Sequence, residues 1–128
     1  MPHFEDSLDA PAPPEEVWKL LYDPSRFPEW WAGMETVTPG EGGEFTMYPD
    51  GYPDFPMPQQ LQSSQDDGMV KISCLVSDLV FEWRLEEADG GTRISVEVDI
   101  PEQEAHRLDR QRDGIAQSLA NLAALAGA

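Results

Sequence analysis

His3, His106 and Cys74 are the side chains in this sequence best suited to metal or nucleophilic chemistry, and their neighbours argue against both. Neither histidine has a carboxylate or thiol partner at ligand spacing, so no metal centre is expected. Cys74 sits among inward-facing aliphatics with no basic neighbour, which describes a buried, inert thiol. His106 and Asp109 are three apart on one helix face and could form an acid–base pair, but Arg107 and Arg110 beside them mark a solvent-facing stripe. The sequence has no glycine-rich phosphate loop and no Gly-x-Ser-x-Gly nucleophile motif, and no cofactor is expected. The chemistry that remains is non-covalent binding.

Its candidate residues are Trp30, Trp31, Met34, Phe45, Met47, Tyr52, Phe55, Met57, Phe81 and Trp83. Rigid rings and adaptable thioethers together suit an apolar or ring-shaped ligand. Phe81 and Trp83 fall on inward strand positions and serve equally as plain core. Tyr52, Phe55 and Met57 fall in Pro49 to Pro58, whose prolines lack backbone donors and mark a loop. That loop is either a lid over a cavity or a satellite cluster that pins itself down.

The C-terminal helix adds Leu108, Gln111 and Arg112. Its apolar stripe runs through Ala105, Leu108, Ile115, Leu119, Leu122 and Ala126, but Gln111 and Arg112 stand where Leu108 should bridge to Ile115. A buried guanidinium without a partner is costly, so Arg112 must reach water, a carboxylate or a ligand. Asp6 similarly interrupts the inward face of the first strand between Phe4 and Leu8. It could pair with Arg112, supply a cavity carboxylate, or be solvated. Glu82 and Arg84 lie on the outer face beside Trp83 and read as a surface charge ladder.

These residues are carried by elements of two periods. His3 to Ala10 alternates as a half-buried strand. A helix then runs from Pro13 and Pro14 to about Tyr22, with Glu15 and Glu16 favoured in its first turn, Val17, Leu20 and Leu21 as its stripe, and Glu15 with Lys19 as an i,i+4 pair. Asp23-Pro24 breaks it, and Ser25 to Trp31 reads as a second short helix. From Thr36 the period becomes two. Glu44 to Tyr48 is a strand after the Gly40 to Gly43 turn, and Gln59 to Gln65 is a polar strand. Val70, Ile72, Cys74 and Val76 face inward after the Asp66-Asp67-Gly68 turn. Leu79, Phe81, Trp83 and Leu85 follow, then Thr92, Ile94, Val96, Val98 and Ile100 after Asp89-Gly90-Gly91. Propensity predicts one helix from Glu102 to Leu125, with Gly127 as its stop.

A chain of 128 residues is read as a single domain spanning 1–128, able to hold a core without staples. One cysteine excludes an internal disulfide framework and fits a reducing compartment; with no charged leader and no long apolar run, a cytoplasmic location is expected. The net charge of -17 and pI near 4.1 exclude nucleic acid and anionic membrane surfaces as partners, leaving a small hydrophobic molecule and a protein partner open.

The order of elements resembles the helix-grip fold of the START-like, or SRPBCC, superfamily. The residues that carry the resemblance are Ala10-Pro11, Glu16-Val17-Trp18, Tyr22-Asp23-Pro24, Phe27 to Trp31 and Gly90-Gly91-Thr92. Within it the chain is most similar to the small bacterial polyketide cyclase/dehydrase group, with the heat-shock ATPase activator-like group next. The resemblance implies an α+β domain, a seven-stranded antiparallel sheet curled around the C-terminal helix, with a ligand cavity between them. Fold alone fixes no reaction. Binding of a hydrophobic, aromatic or polyketide-like molecule is the leading expectation; a cyclase or dehydratase, with Arg112 and Asp6 steadying an enolate, and a chaperone-interaction module are its rivals.

Overall fold

The computed structural model describes residues 2–52 and 54–127, so Met1, Pro53 and Ala128 lie outside the described residues. Seven strands, β1 (His3–Ala10), β2 (Met34–Pro39), β3 (Glu44–Pro49), β4 (Met57–Ser64), β5 (Met69–Cys74), β6 (Val80–Ala88) and β7 (Gly91–Asp99), form one antiparallel sheet in the order β1-β7-β6-β5-β4-β3-β2. Helix α1 (Pro14–Leu21) and a 3-10 segment (Pro24–Glu29) link β1 to β2, and a second 3-10 segment (Glu102–Arg107) leads into helix α2 (Leu108–Ala126). No helix among the described residues is long and apolar enough to cross a membrane.

Alternation places one face of the sheet in the core. Val70, Trp83 and Val96 form one row across β5, β6 and β7; Ile72, Phe81, Val98 and Phe4 form the next, and all seven are buried. On α1 the stripe of Val17, Leu20 and Leu21 is buried as its spacing predicts. Lys19 pairs with Glu16 at 3.2 Å rather than with Glu15, an i,i+3 contact on the same helix face. On α2 the buried residues are Ile115, Ser118, Leu119, Leu122 and Ala123, and they share one core with the sheet and α1. An antiparallel sheet closed by one long C-terminal helix is the helix-grip fold.

Several expectations are corrected. The predicted single helix over 102–125 begins as a 3-10 segment with no buried residue, because its one apolar side chain, Ala105, is too small and too little buried to fix an α-helical face against the sheet. Met57 and Pro58 belong to β4 rather than to the loop; Pro58 stands second in its strand, where its carbonyl accepts from Leu75 N at 3.0 Å. Val76, expected inward, is exposed, since β5 ends at Cys74 and the chain turns through Asp78 at φ 60°. Leu8, also expected inward, is 39% exposed on edge strand β1.

The β1–β7 pairing creates a contact that local spacing hides. His3 Nδ1 lies 2.6 Å from Asp99 Oδ1 and His3 Nε2 3.6 Å from Glu5 Oε1. The hydrogen bond to Asp99 holds the His3 imidazolium above its ordinary value of 6.5. A raised folded value means that the stabilisation is present in full below 6.5 and is lost as pH rises through the folded value. Chemical denaturation at successive pH values should show a small fall in wild-type stability through this window that His3→Gln lacks. Identical slopes for the two proteins would contradict the contact.

Candidate ligand-binding site

Six rings pack between the sheet and the 3-10 segment, Phe45, Phe81 and Trp83 from strands and Phe27, Trp30 and Trp31 from the 3-10 segment and its exit. Trp31 lies 5.3 Å from Trp30, 5.3 Å from Trp83, 5.2 Å from Phe81 and 5.3 Å from Phe27. Trp30 meets Trp83 edge-on at 5.2 Å, and Phe27 meets Phe45 edge-on at 5.6 Å. Edge-to-face geometry at these separations is favourable beyond the area buried. Sequence placed Trp30, Trp31, Phe45, Phe81 and Trp83 in one group, and the structure brings them together with Met34, all buried. Phe27 belongs to the same cluster and was missed; the Phe27 to Trp31 run contained the signal.

Two of the contacting indoles differ in their hydrogen bonding. Trp30 Nε1 donates to Leu20 O at 3.0 Å, which satisfies a carbonyl in the last turn of α1. Trp83 Nε1 is buried and has no acceptor among the described residues.

The segment before β2 is fixed to α2 by polar contacts that apolar patterning does not reveal. Ala32 N donates to Ser118 Oγ at 2.9 Å, Ser118 Oγ donates to Gly114 O at 2.7 Å, and Asn121 Nδ2 donates to Trp30 O at 3.1 Å. Ser118 was readable in one respect, since it sits inside the stripe of Ile115, Leu119 and Leu122. Gln59, also missed, is buried on β4 and donates through Nε2 to Cys74 Sγ and to Met57 O, each at 3.3 Å. Cys74 is buried, as its neighbours predict.

Burial on α2 starts only at Ile115. Before it Leu108, Gln111 and Gly114 are half-buried and Arg112 is exposed, its guanidinium 5.7 Å from the centre of the Phe4 ring. Asp6 is half-buried and accepts from Ser7 N at 2.9 Å. The first turns of α2 therefore hold to the core less firmly than the rest of the helix.

At the same end of the sheet lie the β3–β4 and β5–β6 connections. Tyr52 and Phe55 are 65% and 55% exposed on the first, and Leu75 and Val76 are 52% and 56% exposed on the second. Met57 and Met47, register partners on β4 and β3, are half-buried beneath. The interlocked rings pack against one another where the resemblance implies a ligand cavity. Clefts open at the opposite end, where Pro14, Trp18, Leu85 and the Gln65–Gly68 turn surround about 300 Å³.

The other sequence candidates lie outside this site. His106 is exposed and 3.9 Å from Glu104, whose carboxylate also takes Arg107 at 2.9 Å; Asp109 is exposed. Arg84 pairs with Glu82 at 2.8 Å on the outer face, as expected for a charge ladder. His3 departs from expectation: one of its ring nitrogens and carboxylate oxygens of Glu5 and Glu97 lie within 4.8 Å of one another, on the exposed face. The carboxylate partners missing from the sequence spacing come from the neighbouring strand.

Solved structures share this architecture at low identity. XoxI from Bacillus cereus is 14% identical, with a TM-score of 0.79 over 97% of this chain and 94% of that one. Ara h 8.0201 is 16% identical, with a TM-score of 0.68 over 98% and 97% of the two chains. The di-domain ARO/CYC protein BexL, from the BE-7585A biosynthetic pathway, is 15% identical, with a TM-score of 0.79 over 97% of this chain and 46% of that one. No curated protein sequence matches the chain. Likeness at these identities establishes the helix-grip fold alone, and the assignment comes from the sequence family: residues 1–127 match the model for polyketide cyclase / dehydrase and lipid transport proteins, and the chain belongs to that family.

Proposed function

We propose that this chain binds a small hydrophobic molecule, aromatic or polyketide-like, between the inner face of the sheet and the first turns of α2. The observation that carries this reading is the six-ring cluster, part of the core against which the half-buried Leu108 of the first turn of α2 packs. The family to which the chain belongs supports it, as does the likeness to BexL. A ligand reaches the rings by lifting the Leu108 to Gly114 portion of α2, while Ser118 and Asn121 hold the rest of the helix. Tyr52 and Phe55 then act as an apolar lid with Met57 of β4 beneath them, because both are more than half exposed and large apolar groups gain from being covered. Trp31, Met34, Phe45, Met47, Phe81 and Trp83 line the opened space, with Leu108 and Gln111 on its helix side, while Arg112 stays at the surface over the Phe4 ring.

Tryptophan emission depends on the polarity around the ring and provides the test. Titration with fatty acids, flavonoids and polycyclic aromatics should shift or quench emission saturably for at least the ring-shaped members. A flat response across the whole panel overturns the proposal.

A further inference from the structure

We infer that the indole N–H of Trp83 is the polar anchor of this site, and that it selects a neutral ligand carrying an acceptor oxygen, such as a polycyclic ketone. The inference rests on the binding reading above and specifies which ligands that site takes. Trp83 is fully buried, yet its Nε1 meets no acceptor among the described residues. Buried donors are nearly always paired, and one left open in a fold calls for a small partner, water or ligand. The neighbouring Trp30 sharpens the contrast, because its own indole is committed to Leu20 O and cannot serve. Around Trp83 the surroundings are apolar: Trp30 and Trp31 pack against its ring, and Val70 and Val96 flank it across the sheet.

Those surroundings also decide the charge of the partner. A carboxylate brought beside Trp83 would need a cation for company, and the guanidinium of Arg112 is on the surface over Phe4. The formal net charge of -17 further disfavours anions. A ketone oxygen needs only the one hydrogen bond that Trp83 offers, and its rings match the aromatic wall. Ligand carbonyl or ether oxygens would therefore bind where a fatty-acid carboxylate does not.

The test compares 1-tetralone with tetralin, two bicyclic probes that differ only by the carbonyl. Calorimetric affinities are measured for wild type and Trp83→Phe, and the ratio of the two affinities is compared between proteins. Loss of one neutral hydrogen bond should cut the wild-type preference for the ketone by about three- to tenfold, whatever the substitution does to packing. In parallel, ¹⁵N-labelled wild type is titrated with each probe. The Trp83 Hε1 resonance, identified through its contacts to Val70 and Val96 methyls, should move downfield with 1-tetralone and much less with tetralin. This second measurement stands if Trp83→Phe does not fold. Binding of both probes with an unchanged ratio or an unmoved Hε1 resonance overturns the anchor and leaves the binding site intact. Failure of both probes to bind overturns the anchor together with the proposal on which it rests.

Discussion

Trp30→Ala should destabilise the protein by at least about 4 kcal/mol, a large part of the roughly 5–15 kcal/mol available to a domain. Trp30 is 1% exposed and touches Phe27, Trp31 and Trp83, so truncation empties the centre of the ring cluster. Truncating a buried tryptophan costs about 3–5 kcal/mol by itself. The indole also closes the end of α1 through Leu20 O, and removing it leaves that carbonyl without its donor. Trp30→Phe keeps most of the ring volume and isolates the second effect, at about 1–3 kcal/mol. Urea denaturation measures both variants; a loss below about 1 kcal/mol for Trp30→Ala, the scale of surface substitutions, would contradict this role.

Gly91→Ala is the second large effect, and its cause is overlap rather than a void. A Cβ at Gly91 would overlap Ala10 O and lie 3.4 Å from Ala12 N. Both are backbone atoms, so no side-chain rotation relieves the clash. The same corner is tied by Thr92 Oγ1, which donates to Ala12 O at 2.7 Å, and by the Ala10↔Thr92 pair that ends the β1–β7 ladder. Separating β1 from β7 here should cost about 3 kcal/mol, the upper part of the range for overpacking. For a chain of this size that lowers the melting temperature by roughly 10 °C. A melting temperature within about 2 °C of wild type would show that the corner can shift freely.

Legibility in the sequence followed the reach of the interactions. β7 could be read residue by residue, because five alternating positions from Thr92 to Ile100 are all buried and a period of two needs no knowledge of partners. Val76 defeated the same rule. Its alternation continues past Cys74, but the chain turns there, with Asp78 N donating to Cys74 O and Asp78 itself at φ 60°, a conformation that residue alternation does not register. Helix propensity joined Glu102 to Leu125, yet propensity does not separate α from 3-10 where no apolar face is anchored. In the site, aromatic residue types could be picked out locally. Their mutual packing, the open donor on Trp83, and the polar ties from Ser118 and Asn121 to the Trp30–Ala32 segment span tens of residues and required the fold. The broken stripe at Gln111 and Arg112 was visible, and its physical outcome is a charge held over Phe4 beside loosely held helix turns.

Intermolecular nuclear Overhauser contacts between bound 1-tetralone and the protein test most directly whether ligand sits between the sheet and α2. Contacts from the probe to the rings of Trp31 and Phe81 and to the methyls of Leu108 are the predicted result. Contacts confined to Trp18 and Leu85, which line the cleft at the opposite end of the sheet, would contradict it.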